Sequence, residues 1–175
     1  MNKQKVCIVG GGLTGLLTSV VLSKCNLNID LFAENFNRPY KNPRTTAFSY
    51  SNYQFLKNLN ILSMKPNESW PISEIKIYNN INKNKPEEIL KFKENNNNKK
   101  ILYMVSNINF VTALKSKIKL SKKITIKTKF LDKKKLNNYN LIVNCTGGHS
   151  DFTKNIRDNK FIKHTYDQKS FILNI

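Results

Sequence analysis

The segment Val6-Cys7-Ile8-Val9-Gly10-Gly11-Gly12-Leu13-Thr14-Gly15 decides how the rest of the chain is read. Its first four residues are all apolar. A run this short, without polar alternation, predicts a strand buried on both faces of a parallel sheet. Gly10, Gly12 and Gly15 then follow at the spacing G-x-G-x-x-G, with a strand before them and a helical pattern after them. Gly10 is expected to turn the chain sharply off the strand. At Gly12 a missing side chain would let the backbone meet a diphosphate, and Gly15 would let the helix pack closely on the sheet. Leu13 and Thr14 open that helix, whose first amides and dipole favour an anion.

Leu13, Leu16, Leu17, Val20, Val21 and Leu22 recur at helical spacing up to Ser23-Lys24. Ile29-Asp30-Leu31-Phe32-Ala33 reads as a second strand, closed by Glu34 nineteen residues after Gly15. An acid at that place accepts hydrogen bonds from ribose hydroxyls and disfavours a 2'-phosphate. Strand, glycine turn, helix, strand and acid together predict an α/β, Rossmann-like βαβ unit that binds a dinucleotide.

Beyond this unit comes a basic loop, Asn37 to Thr46, broken by Pro39 and Pro43. Ala47 to Leu59 suits a helix with Phe55, Leu56 and Leu59 on its buried side, and Pro66 and Pro71 bracket a further connection. From about Ile72 the apolar period changes to two. Ile75 and Ile77, then Ile89 and Phe92, predict two half-buried antiparallel strands. Ser106 or Asn107 can cap a helix carrying Ile108, Val111, Leu114 and Ile118. Ile124 and Ile126 suggest a strand with an exposed face, whereas Leu141-Ile142-Val143 suggests a return to the buried parallel sheet. Phe171-Ile172-Leu173 begins one more strand. The expected organisation is a βαβ nucleotide unit in 1–71, a partial antiparallel hairpin of a substrate domain in 72–102, a return to the nucleotide domain in 103–160, and the start of a truncated substrate domain in 161–175.

The 175 residues carry 30 Lys and Arg against 11 Asp and Glu, a formal charge of +19. A specific nucleic-acid protein gathers such charge on one face, with arginines and aromatics between the lysines. Here lysine is spread over nearly every polar segment, so it reads as generic solvated surface with a weak, nonspecific pull toward anionic membranes. Cys7, Cys25 and Cys145 are odd in number and lack metal-ligand spacing, which fits a reducing, cytoplasmic setting. No apolar stretch approaches the roughly 20 residues of a spanning helix. Any membrane contact would be peripheral, at the inner face. His149 and His164 stand apart from any nucleophile or metal cluster and read as polar loop residues. No catalytic residue is identified.

From Arg44-Thr45-Thr46-Ala47-Phe48-Ser49 onward the chain resembles the FAD-dependent aromatic hydroxylases, in particular the polyprenyl-phenol hydroxylases of ubiquinone biosynthesis. The resemblance continues through Gln54-Phe55-Leu56, Pro71-Ile72-Ser73-Glu74-Ile75 and Tyr103-Met104-Val105-Ser106-Asn107. It ends at Leu141-Ile142-Val143-Asn144-Cys145-Thr146-Gly147-Gly148-His149-Ser150, which takes the place of a strand and Asp-Gly motif. It implies FAD as cofactor, NADPH or NADH as reductant, and transfer of one oxygen atom to an aromatic or quinol-precursor ring. It also implies that Arg44 and Thr45 contact the flavin or its phosphates, that Gln54 and Asn107 lie near it, and that Thr146 and Gly147 border it. The chain departs from the family in having Thr146 where the aspartate belongs, in a short stretch from Lys119 to Asn140, and in lacking the later Gly-Asp flavin motif. Those departures imply a fragment or degraded copy of a hydroxylase, for which a second chain would be one source of the C-terminal part. The alternatives are a non-catalytic nucleotide-binding subunit or remnant, or another FAD- or NAD-dependent oxidoreductase that shares the βαβ start.

Overall fold

The computed structural model describes residues 3–62, 69–79, 86–95, 99–129 and 133–147. The strand expected at Phe171 and both histidines lie outside these residues.

The parallel sheet is built from β1 (Gln4–Val9), β2 (Leu27–Phe32), β8 (Ile124–Lys127) and β9 (Leu141–Asn144), in the spatial order β8-β2-β1-β9. Every pairing in it is parallel, with Val6 beside Ile29 and Leu141, and Ile29 beside Ile124. Side chains alternate across a strand, so Val6, Ile8, Ile29 and Leu31 share one face. On that face they join Leu16 and Val20 of α1 (Leu13–Leu22) and Val111, Leu114 and Ile118 of α3 (Asn107–Leu120) in one buried cluster. The β1-α1-β2 unit and its helix register are as the glycine motif predicts.

Cys7, Asp30 and Phe32 occupy the opposite face. A carboxylate buried there must be paired. The Tyr139 hydroxyl donates to Asp30 Oδ2 at 2.8 Å, and Lys5 Nζ lies 3.3 Å from the same oxygen. Tyr139 also sets its ring edge-on to Phe32. It follows a 3-10 helix (Lys133–Asn138), and Asn140 exchanges two hydrogen bonds with the Lys5 backbone. The connection into β9 is thus clasped to the edge of β1 just before the strand begins.

A second, antiparallel sheet has the order β3-β7-β4, from β3 (Thr45–Ser49), β4 (Ser69–Ile72) and β7 (Leu102–Ser106). The remaining strands, β5 (Glu74–Asn79) and β6 (Glu87–Lys93), form the expected antiparallel pair.

Several sequence expectations need correction. The segment expected to be helical from Ala47 is strand as far as Ser49. Thr45, Thr46 and Phe48 pair with β7, and Ser49 accepts a hydrogen bond from the Asn52 N–H, so α2 begins only at Tyr50 (Tyr50–Asn58). Of its proposed buried side chains Leu56 is buried, but Phe55 is 53% exposed. Ile77, Ile89 and Phe92 are exposed rather than half-buried, because β5 and β6 pair only with each other among the described residues. Ser106 holds the N-cap position of α3 without a side-chain bond, and Ile108 faces outward. The Ile124–Ile126 strand belongs to the parallel sheet, where Ile124 is buried. β9 does return to that sheet, but as an outer strand with Leu141 and Ile142 exposed.

Candidate functional site

The carboxyl ends of the four parallel strands converge on a cleft of about 420 Å³. From β1 come Gly10, Gly11 and Gly12, from β2 Phe32, Glu34 and Asn35, from β8 Lys129, and from β9 Cys145, Thr146 and Gly147. Ligands of open parallel sheets bind at this edge, because the strand ends leave a crevice and the following helices aim their amino termini into it.

Gly10 makes the corner. Its N–H donates to the Phe32 carbonyl at 2.9 Å, and its φ of 125° lies where a side chain is strained. A Cβ there would also strike the Cys145 carbonyl. Gly15 is closed by a different neighbour: a Cβ would run into the Gly10 carbonyl. Gly12 is unlike both, since a Cβ at that position would meet nothing within 4 Å. The protein therefore holds space open over Gly12 and fills the space over Gly10 and Gly15 with its own backbone.

Gly12 is also the N-cap of α1. It provides no side-chain cap, and the first turn contains no acidic residue. The Leu16 N–H donates to the Gly12 carbonyl at 3.0 Å. An α-helix leaves its first amides without intrahelical partners, and here no carboxylate competes for them. On this geometry a diphosphate fits: an open approach at Gly12, donors from the first turn, and the positive end of the dipole.

The opposite walls are fixed by backbone bonds. The Cys145 N–H donates to the Val9 carbonyl at 2.7 Å, and the Ala33 N–H donates to the Lys127 carbonyl at 2.9 Å. Thr146 is held by Asn144, whose Oδ1 accepts from its hydroxyl at 2.7 Å and from its N–H at 3.2 Å. Gly147 follows with a φ of 75°. Burial raises the Cys145 thiol above its ordinary range, opposed by a hydrogen bond with Thr18, so a neutral thiol borders the cleft.

Of the residues named from sequence, Gly10, Gly12, Glu34, Thr146 and Gly147 meet in this cleft. Leu13 and Thr14 form the start of α1 beside it, and Gly15 lies buried beneath the turn. Arg44, Thr45 and Gln54 are not among its lining. Arg44 is exposed, with its carbonyl accepting from the Asn107 N–H at 3.0 Å, and Thr45 pairs with Ser106. Gln54 is half-buried on α2. Asn107 serves the antiparallel sheet, accepting from the Thr46 hydroxyl at 2.6 Å. Asn35 and Lys129 went unrecognised. Asn35 carries only its adjacency to Glu34 as a signal, and Lys129 becomes visible once β8 is known to be parallel to β2.

A separate apolar groove of about 330 Å³ runs between α1 and α2, lined by Leu17, Val21, Leu22, Phe48 and Phe55 among others. It accounts for the exposure of Phe55.

No protein-family model matches the chain. A stretch of 77 residues is 34% identical to HspB, a 6-hydroxy-3-succinoylpyridine 3-monooxygenase of Pseudomonas putida, covering 40% of this chain and 19% of that protein. A variant of PqsL from P. aeruginosa superposes with a TM-score of 0.66 at 13% identity, over 94% of this chain and 48% of that one. The flavin-dependent monooxygenase PieE, solved with FAD and substrate, gives a TM-score of 0.53 at 15% identity, over 72% of this chain and 24% of that one. The chain thus has the fold of FAD-binding monooxygenase domains, and it spans about a fifth of the length of HspB and about half of PqsL.

Proposed function

We propose that this chain is the FAD-binding portion of a flavin-dependent monooxygenase acting on an aromatic or heteroaromatic ring. The observation that carries the proposal is the space held open over Gly12 at the start of α1, with Glu34 one strand away in the same cleft. In this reading Gly10 and Gly12 shape the corner, the first-turn amides at Leu13 and Thr14 hold the diphosphate, and Glu34 accepts from the ribose hydroxyls. Thr146 and Gly147 bound the cleft on the β9 side. When bound, FAD supplies the redox chemistry that lets one oxygen atom pass to the ring, with NADPH or NADH as reductant. The protein contributes position and exclusion of water. The contacts proposed for Arg44, Thr45 and Gln54 rest on the sequence resemblance alone, as does the narrower substrate, a polyprenyl phenol at the inner face of a membrane. Among the described residues no helix is long and apolar enough to cross a membrane.

A second reading has its own support. The chain covers less than half of the PqsL chain, and Leu141, Ile142 and the groove beside Phe55 leave apolar surface open. Large open apolar surface marks a place where protein docks. The hairpin β5–β6 would then be one edge of a substrate domain completed by further polypeptide, in the same or a second chain. The isolated chain would bind FAD without hydroxylating.

The test is titration of the purified chain with FAD, followed by flavin fluorescence. Saturable binding is expected, weakened about tenfold or more in Glu34→Ala through loss of charge-assisted hydrogen bonds. Failure of the wild-type chain to take up FAD, ADP or a nicotinamide dinucleotide would remove the proposal. Hydroxylation of a phenol by the isolated chain with reduced nicotinamide would remove the second reading and leave the first.

A further inference from the structure

We infer that Lys129 recognises the adenine base of the bound nucleotide, a role that rests on the dinucleotide reading of the cleft and goes beyond it. Lys129 follows β8, the outer strand beyond β2, and lines the same cleft as the glycine turn and Glu34. Among the described residues it is the only cation that lines the cleft. Among the described residues it forms no ion pair, with Glu34 or with any other acid.

Strand order decides what it can reach. The diphosphate position lies at the end of β1, against α1 and Gly12. Adjacent strands are about 4.8 Å apart, so the end of β8, two strands away, lies on the order of 10 Å from the end of β1. Glu34, from the intervening β2, stands between the two. A nucleotide with its phosphates at Gly12 and its ribose at Glu34 must carry its base onward, toward Lys129. The order of groups along the cleft repeats the order of groups in the ligand: phosphate, sugar, base.

The chemistry suits a base better than a second phosphate. An ammonium can donate to ring nitrogens or lie over the face of an aromatic ring, and both contacts favour the cation in a partly enclosed cleft. A phosphate on the ribose 2'-oxygen would meet Lys129, but it would also meet the Glu34 carboxylate. Lys129 therefore acts on the base, while Glu34 excludes the 2'-phosphate.

The experiment is ADP binding to the whole chain by calorimetry at low and at high salt, for wild type, Lys129→Ala and Lys129→Arg. ADP carries the phosphates, sugar and base without the flavin, so the measurement does not depend on activity. Lys129→Ala is expected to weaken ADP about tenfold, by a similar factor at both salt concentrations, with Lys129→Arg recovering most of the loss. Unchanged ADP affinity in Lys129→Ala would overturn the role of Lys129 and leave the nucleotide site standing. A loss confined to low salt would mean long-range attraction of the diphosphate, and would also overturn it. A wild-type chain that binds no ADP would instead sink the dinucleotide reading itself.

Discussion

At the scale of single residues, the three glycines of the motif separate by what lies opposite each missing side chain. Gly12 faces open space, so Gly12→Val should leave the fold almost intact, costing less than about 1 kcal/mol as a change at an N-cap position. FAD titration of that variant should show binding lost. Gly10→Ala has the opposite signature, because φ is 125° and the new methyl meets the Cys145 carbonyl. A drop of several degrees in its melting temperature is expected even without ligand. Cys7 offers a test by pH. Burial, then the Asp30 charge, raises its thiol from the ordinary 9.0 to about 11. The folded chain thus keeps a proton that the unfolded chain releases, so this contribution is complete below pH 9.0 and is lost as pH rises toward 11. Urea midpoints of wild type and Cys7→Ala should run parallel up to about pH 9 and converge above it. The places of the glycine turn and of Glu34 at the cleft were readable in the sequence because turn, helix and acid follow within one short stretch. Lys129 was not, since nothing local ties it to a strand end nearly a hundred residues from Glu34.

At the scale of elements, misreadings gathered where a short segment takes its state from a distant partner. Thr45–Ser49 has apolar and small residues that suit either a strand or the first turn of a helix. Its pairing with β7 decides the matter, and β7 lies more than fifty residues onward. The same holds for β8, whose period-two pattern suggested an exposed face and whose parallel partner β2 buries Ile124. α1 and α3 were legible because a helix satisfies its own backbone and shows its buried face as a periodicity. The joint between β3 and α3 can be probed directly. The Thr46 hydroxyl donates to Asn107 Oδ1, and Asn107 is a buried polar residue. Thr46→Val keeps the strand-forming shape and strands the amide oxygen, with an expected cost of about 1–2 kcal/mol in urea denaturation. Asn107→Leu combined with Thr46→Val should recover part of that loss, as paired removal of both polar partners does.

At the scale of the whole molecule, charge and connectivity govern behaviour. A formal charge of +19 on 175 residues means that like-charge repulsion outweighs attraction across the chain. Adding sodium chloride to roughly 0.5 M should raise the melting temperature, because screening relieves the repulsion. Dinucleotide affinity should fall over the same range, and thermal melts with and without FAD separate the two effects. The clasp at Lys5, Asp30, Tyr139 and Asn140 has a further consequence for how the chain is made. β1 leaves the ribosome first, yet one of its two neighbours, β9, is among the last described segments to be synthesised. Until that neighbour arrives, the pocket lacks one wall and the glycine corner lacks the carbonyl it rests against. Cofactor uptake should therefore come late in biogenesis, and nascent chains stalled ahead of Tyr139 should stay colourless in the presence of flavin while carrying most of the residues that would hold it.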